Sequence, residues 1–361
     1  METPDLESVL ASCRYYPVSA DLGRRLVWFA EVERETYRRA GFLVPSQTPM
    51  GLERYGFNLD DLVLRDLGLP IGGEPSHYVF ISAFCCSTLL ARLLDQVPGC
   101  LVLKEPGVLG QLAMLRYRTG TAEMQAAREA EWKPWGALGI RLLTRTFERG
   151  ETVVIKASDV CNTMGDVLLA NDPRSRAVLL SVPLRTFVLS VLKSEDRRLW
   201  TRKRAEFWQN TLALFPALSE LRVDDLDDAR KAAYLWMVTG ALWDRFRRGF
   251  GAERVLLMDG EDVSEGPGRA LRQAATFFEI PLGEAELDGI LADPVLARHS
   301  KSPSRPYDSV ARRKDRESWE EQFSDDASRA IEWSAPVQWA LRSDGIDLGS
   351  MAQEVRQEAV L

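Results

Sequence analysis

Residues 77–96 read HYVFISAFCCSTLLARLLDQ, and no other stretch constrains the fold as much. The first seven residues are a β-branched and aromatic run, the pattern of a buried strand. From residue 87 the pattern changes: Leu89, Leu90, Leu93 and Leu94 share one face of a helix. A strand that turns this sharply into a helix opens a crossover unit. The chain then repeats the alternation. Short strands are predicted at 100–103, 152–156, 176–182 and 254–258. Helices are predicted near 107–117, 122–130, 136–149, 161–170, 184–195, 202–220 and 227–249, and again near 265–279, 284–292 and 316–344. Strands alternating with helices imply an α/β architecture: a central, mostly parallel sheet with helices on its faces.

Residues 1–70 read differently. Leu22, Leu26, Phe29, Val32 and Tyr37 recur near helical spacing, which predicts an α-rich N-terminal extension. Gly41, Pro45, Pro49 and Gly51 break that pattern. The Pro/Gly-rich stretch 69–75 separates the extension from an α/β domain at 75–345, and 346–361 is left as a C-terminal tail. The 361-residue length allows two domains or one large α/β domain.

The turn between the first strand and its helix is the natural place for chemistry. Free N–H groups at a helix N-terminus face whatever precedes it, and the helix dipole favours negative charge there. Ser87 and Thr88 add hydroxyl donors, and Arg92 falls on the same helix face as Thr88. Ser87 can equally serve as a helix cap. Cys85 and Cys86 line the turn. The glycines and lysine of a Walker A loop are absent, so this is not a Walker A motif.

The frame 84–90, FCCSTLL, resembles the 5′-phosphosulfate loop of sulfotransferases, (R/K)-S-G-T-(T/S)-x-L followed by a Leu/Arg-rich helix. Here Phe84 stands in the place of the basic residue and Cys86 in the place of the glycine. Three further segments follow in that family's order. LVLKEP at 101–106 places Glu105 where some sulfotransferases carry a general base. VLLSVPLRTFVLS at 178–190 resembles the 3′-phosphate segment, with Arg185 and Ser190 in register but Val182 in place of the first arginine. RVLLMDGEDVSEGPGRALRQAATFFEIP at 254–281 resembles the family's late strand, turn and helix. The resemblance spans about 75–345. It implies a three-layer P-loop-like fold and 3′-phosphoadenosine 5′-phosphosulfate (PAPS) as donor, with PAP as product. It further implies no required metal and a small-molecule acceptor.

Sulfuryl transfer needs a donor cradle, a cation on the bridging oxygen and a base for the acceptor proton. Cys86, Ser87 and Thr88 are the expected cradle and Glu105 the expected base. Lys104, Lys156 and Arg92 are the candidates for the missing loop cation. Only eight of the 46 basic residues are lysine, so a lysine at a strand end hints that a compact point charge is wanted. Lys156 is the preferred candidate, because it ends the third strand at the carboxyl edge where open α/β sheets bind ligands. Lys301, in the late basic loop after His299, is expected to cover the 3′-phosphate in place of the arginine lost at Val182.

Composition closes off other classes. A net charge of −7 argues against a general nucleic-acid binder. No run of about 18 apolar residues suggests a membrane span. Five cysteines without CxxC spacing and two histidines argue against a zinc site, and a reducing cytoplasm fits them. The oligomeric state is open, a homodimer included. Two other functions compete with sulfuryl transfer: a P-loop-like phosphotransferase using a nucleoside triphosphate, and a catalytically retired nucleotide-binding or scaffold homologue.

Overall fold

The computed structural model describes residues 4–44, 53–66, 73–116, 122–209, 215–293, 298–299, 302–306, 309–348 and 351. Along the chain these form α1 (Leu6–Ala11), β1 (Tyr15–Asp21), β2 (Leu26–Glu31), α2 (Arg34–Arg39), β3 (Arg54–Asn58), α3 (Leu59–Asp66), β4 (Ser76–Ile81), α4 (Ser87–Leu94), β5 (Cys100–Lys104), α5 (Gly107–Arg116), α6 (Ala122–Leu143), β6 (Thr152–Lys156), α7 (Gly165–Asn171), β7 (Ala177–Ser181), α8 (Leu184–Leu192), α9 (Glu195–Gln209), α10 (Pro216–Ser219), α11 (Asp228–Phe250), β8 (Val255–Asp259), α12 (Gly260–Glu265), α13 (Pro267–Phe277), α14 (Glu284–Leu291), β9 (Arg298–His299), β10 (Ser302–Pro306) and α15 (Ser309–Ser343). The architecture is α/β. Its five-stranded parallel sheet has the order β5-β6-β4-β7-β8, with helices around it. All five predicted strands are present. β4, β5 and β7 are buried along their whole length, which is why they read as continuous apolar runs and not as alternation.

The chain divides into two compact units. The first comprises Met1–Phe80, Thr88–Ala177 and Ala270–Ala292. Its N-terminal part corrects the α-rich expectation: three short helices accompany a three-stranded antiparallel sheet, β1-β2-β3. Val27 and Phe29 are both fully buried on one face of β2, so the period is two, not 3.6. Leu26 and Phe29 satisfy helical spacing by coincidence, while the β-favouring run Val27-Trp28-Phe29 decides the structure. Trp28 pairs with Gly56, and its indole lies where a Cβ at Gly56 would sit. The Tyr16 and Tyr37 hydroxyls donate to the Leu43 and Cys13 carbonyls at 2.7 and 2.6 Å, so both buried phenols are satisfied. α5 packs on β1 and on α6.

The second unit comprises Ile81–Ser87, Val178–Arg269 and Asp293–Leu361. α11 is its central helix, buried from Ala229 to Phe246 over most of its length and packed against α8, α9 and α15. Asp227 caps it, accepting from the Arg230 N–H at 2.8 Å. α15 bends at Phe323. Leu348 and Met351, expected in a tail, are buried over Gly240 of α11. No helix among the described residues is long and apolar enough to cross a membrane.

Candidate functional site

In the first unit, β4, β6 and β5 run in parallel register, with Val79 opposite Lys156 and Lys156 opposite Lys104. Their carboxyl ends therefore share one edge. Two lysines end adjacent strands there, each 1% exposed, but the structure uses them differently.

The Lys104 ammonium donates to Asp95 at 2.5 Å and to the Tyr37 carbonyl at 2.9 Å. Burial pushes its pKa down, and only the Asp95 carboxylate opposes that. This corrects the expectation that Lys104 contacts the nucleotide: the charge is spent on joining β5 to α4 and α2. Its own carbonyl accepts from the Leu43 N–H at 2.7 Å, which pins residues 42–44 at the strand end. Arg92 is half-buried on α4; burial lowers its pKa, and its charge adds to the depression at Lys104.

Lys156 forms an ion pair with Glu105. The Glu105 N–H donates to the Lys156 carbonyl at 2.7 Å, so main chain and side chain bind the two residues together. The Phe42 ring lies 5.1 Å from the ammonium. The pair is asymmetric in access: the Lys156 side chain is 2% exposed and that of Glu105 21%. The carboxylate can be reached and the ammonium cannot. Glu105 also has φ +53 directly before Pro106, although a residue preceding proline is steered towards extended backbone. Such a left-handed residue at a strand end is held by its surroundings, here the two bonds to Lys156.

In the second unit, the turn Ile81–Ser87 carries three non-glycine residues with left-handed backbone: Ala83 (φ 64), Phe84 (φ 51) and Cys86 (φ 60). Each such residue costs roughly 1–2 kcal/mol. What buys this strain is a tight curl that delivers the chain to the N-terminus of α4, where Ser87 and Thr88 stand. Gly260 supports the curl, since a Cβ there would collide with the Cys85 carbonyl. Phe84 packs between Phe187 and Trp200, at 6.1 and 5.1 Å between ring centroids. The Arg197 guanidinium lies 4.3 Å over the Phe84 ring and donates to the Ser190 carbonyl at 2.8 Å. Cys85 is buried, Cys86 partly exposed, and both are free thiols.

Arg185 stands at the start of α8, as the motif expects, but its guanidinium is engaged. Glu320 of α15 accepts from its Nε at 2.8 Å and from Nη2, while the Ser324 and Ser328 hydroxyls lie at 2.8 and 3.2 Å. Ser190 is 8% exposed. Val182 is buried, and its carbonyl accepts from the Trp236 indole at 2.9 Å. Thr186 donates to Glu261, which also pairs with Arg316 at 3.3 Å. Lys301 lies outside the described residues. Among the described residues no group of three or more His, Cys, Asp or Glu side chains is placed to hold a metal ion.

Arg197, Gly260, Asp95 and Glu320 were not singled out from the sequence. Gly260 had a usable signal, an Asp-Gly pair closing a strand. Arg197 had none, because the run EDRRLWTRKR offers five basic residues and helical spacing alone does not say which one meets the turn.

The chain matches no family model and no curated protein. Among solved structures it is similar to sulfotransferases. One is the sulfotransferase domain from the Synechococcus PCC 7002 olefin synthase, with 15% identity, 68% of this chain and 90% of that one covered, and a TM-score of 0.37. A second is the sulfotransferase domain from the curacin biosynthetic pathway, with 14% identity, 76% and 99% covered, and a TM-score of 0.38. A third is a sulfotransferase from Alicyclobacillus acidocaldarius, with 15% identity, 74% and 96% covered, and a TM-score of 0.34. Scores of this size leave the functional reading to the residues themselves.

Proposed function

We propose that this protein transfers a sulfuryl group from PAPS to a hydroxyl or amine of a small-molecule acceptor. The observation that carries the proposal is the reachable Glu105 carboxylate, held in a left-handed backbone by buried Lys156 at the carboxyl edge of a parallel sheet. In this reading the acceptor O–H attacks sulfur and its proton passes to Glu105. The bond from sulfur to the bridging phosphate oxygen breaks, and its electron pair stays on that oxygen as PAP leaves. The proton then passes from Glu105 to solvent. Ser87, Thr88 and the N–H groups of the turn hold the donor phosphosulfate. Lys156 keeps Glu105 aimed, a role it takes in place of the cation on the bridging oxygen. Cytoplasmic location fits the free thiols of the described cysteines.

One observation favours a second reading. Arg185, the surviving arginine of the 3′-phosphate segment, is tied to Glu320. A retired, nucleotide-free homologue would look this way. Incubating the protein with PAPS and cell extract, and searching by mass spectrometry for products heavier by one SO₃, separates the two. Sulfated products support the first reading; none, with no binding of PAP, supports the second.

A further inference from the structure

We infer that Arg197 supplies the positive charge of the donor turn, with Phe84 as the platform that positions it. The inference rests on the proposed sulfuryl transfer. That step leaves an electron pair on the bridging oxygen, and a cation placed there in advance lowers its barrier. The turn, residues 81–87, contains no lysine or arginine. Of the cations expected to replace one, Lys104 is committed to Asp95 and Lys156 to Glu105, while Arg92 stands half-buried on α4, one turn beyond Thr88; Arg185 of the 3′-phosphate segment is tied to Glu320.

Arg197 comes from α9, a different element, and reaches the turn itself. Its guanidinium lies 4.3 Å over the Phe84 ring, a distance at which a ring face attracts a cation. The Ser190 carbonyl fixes its other end at 2.8 Å. Phe187 and Trp200 hold the Phe84 ring. The guanidinium is thus located from both sides, and it joins the turn to the segment that ends at Ser190. Seen this way, Phe84 is not a lost charge. The aromatic ring replaces a charged side chain by docking one from another helix.

The test is a rescue. Wild type, Arg197→Met, Arg197→Lys and the double variant Phe84→Arg/Arg197→Met are compared for PAP release from PAPS in the presence of cell extract. PAP affinity is measured by titration calorimetry, and folding by thermal melting. Arg197→Met is expected to lower turnover by about 10²-fold, the usual loss for a single group stabilising developing charge. Arg197→Lys, which keeps the charge, should retain more. The double variant, which returns a charge to the turn, should recover at least about tenfold over Arg197→Met, a recovery that a purely structural role for Arg197 would not give. Turnover within about threefold of wild type in Arg197→Met, or no recovery in the double variant when it melts like wild type, overturns the inference while leaving sulfuryl transfer standing. Wild type that neither binds PAP nor releases it from PAPS overturns both, and is distinguished by the silence of every variant.

Discussion

At the scale of single residues, the left-handed backbone of the turn 81–87 makes a sharp prediction. Cys86 has φ 60 and occupies the place of a glycine in the motif that the turn resembles. Cys86→Gly removes the steric penalty but loosens the unfolded chain, two effects of about 1 kcal/mol and opposite sign. It should leave the melting temperature nearly unchanged. Cys86→Val puts a β-branched side chain where φ is positive and should destabilise by about 1–2 kcal/mol, read by urea denaturation. Equal midpoints for Gly and Val would mean that the turn relaxes and stores no strain. Glu105, Lys156, Ser87 and Thr88 could be singled out because each stands at or beside the end of a regular element. So does Lys104, but its part in the structure could not be read from its place. Its neighbour in the sequence is Glu105 and its partner across the sheet is Lys156, so every local cue matches theirs; only the tertiary arrival of Asp95 and the Tyr37 carbonyl separates their roles.

At the scale of elements, that buried pair is the joint between β5, α4 and α2. Both partners are nearly inaccessible, so removing one leaves an uncompensated charge in a dry place. Lys104→Met should cost about 3–5 kcal/mol, and the double variant Lys104→Met/Asp95→Leu should recover most of it. Chemical denaturation of the three proteins checks this; a mild single variant would show that water reaches the pair. The same scale explains the misread N-terminal sheet. In six residues of β2, helical and strand periods both find apolar positions, and the deciding contacts come from β1 and β3, up to about thirty residues away along the chain. The parallel strands carried no such ambiguity. They are short, mostly apolar runs bounded by turns, and β4, β5 and β7 are buried along their whole length, which is how a strand covered on both faces reads.

At the scale of the whole molecule, stability should depend on pH through His77. Its Nδ1 accepts the Arg176 N–H at 3.1 Å, and its ring stacks on Phe278 at 4.8 Å. Burial first, and the Arg176 charge second, lower its pKa to about 4. The unfolded chain binds a proton near pH 6.5. Between those values the unfolded state holds more protons than the native state, so stability falls as pH drops through the window, by up to about 3 kcal/mol. His77→Asn, whose amide oxygen can accept the same N–H, should flatten this part of the profile of melting temperature against pH. An unchanged slope would place the acid sensitivity elsewhere.

In the proposed sulfuryl transfer, function rests on one carboxylate. A positioned base contributes about 10²–10⁴-fold to rate, whereas the same proposal gives donor binding to the turn. The most direct measurement is turnover of PAPS by wild type and Glu105→Gln, alongside PAP affinity of each by calorimetry. The expected result is a wild type that turns over and a variant that binds PAP equally well yet is slower by about 10²-fold or more. A Glu105→Gln protein that keeps the wild-type rate would contradict the account.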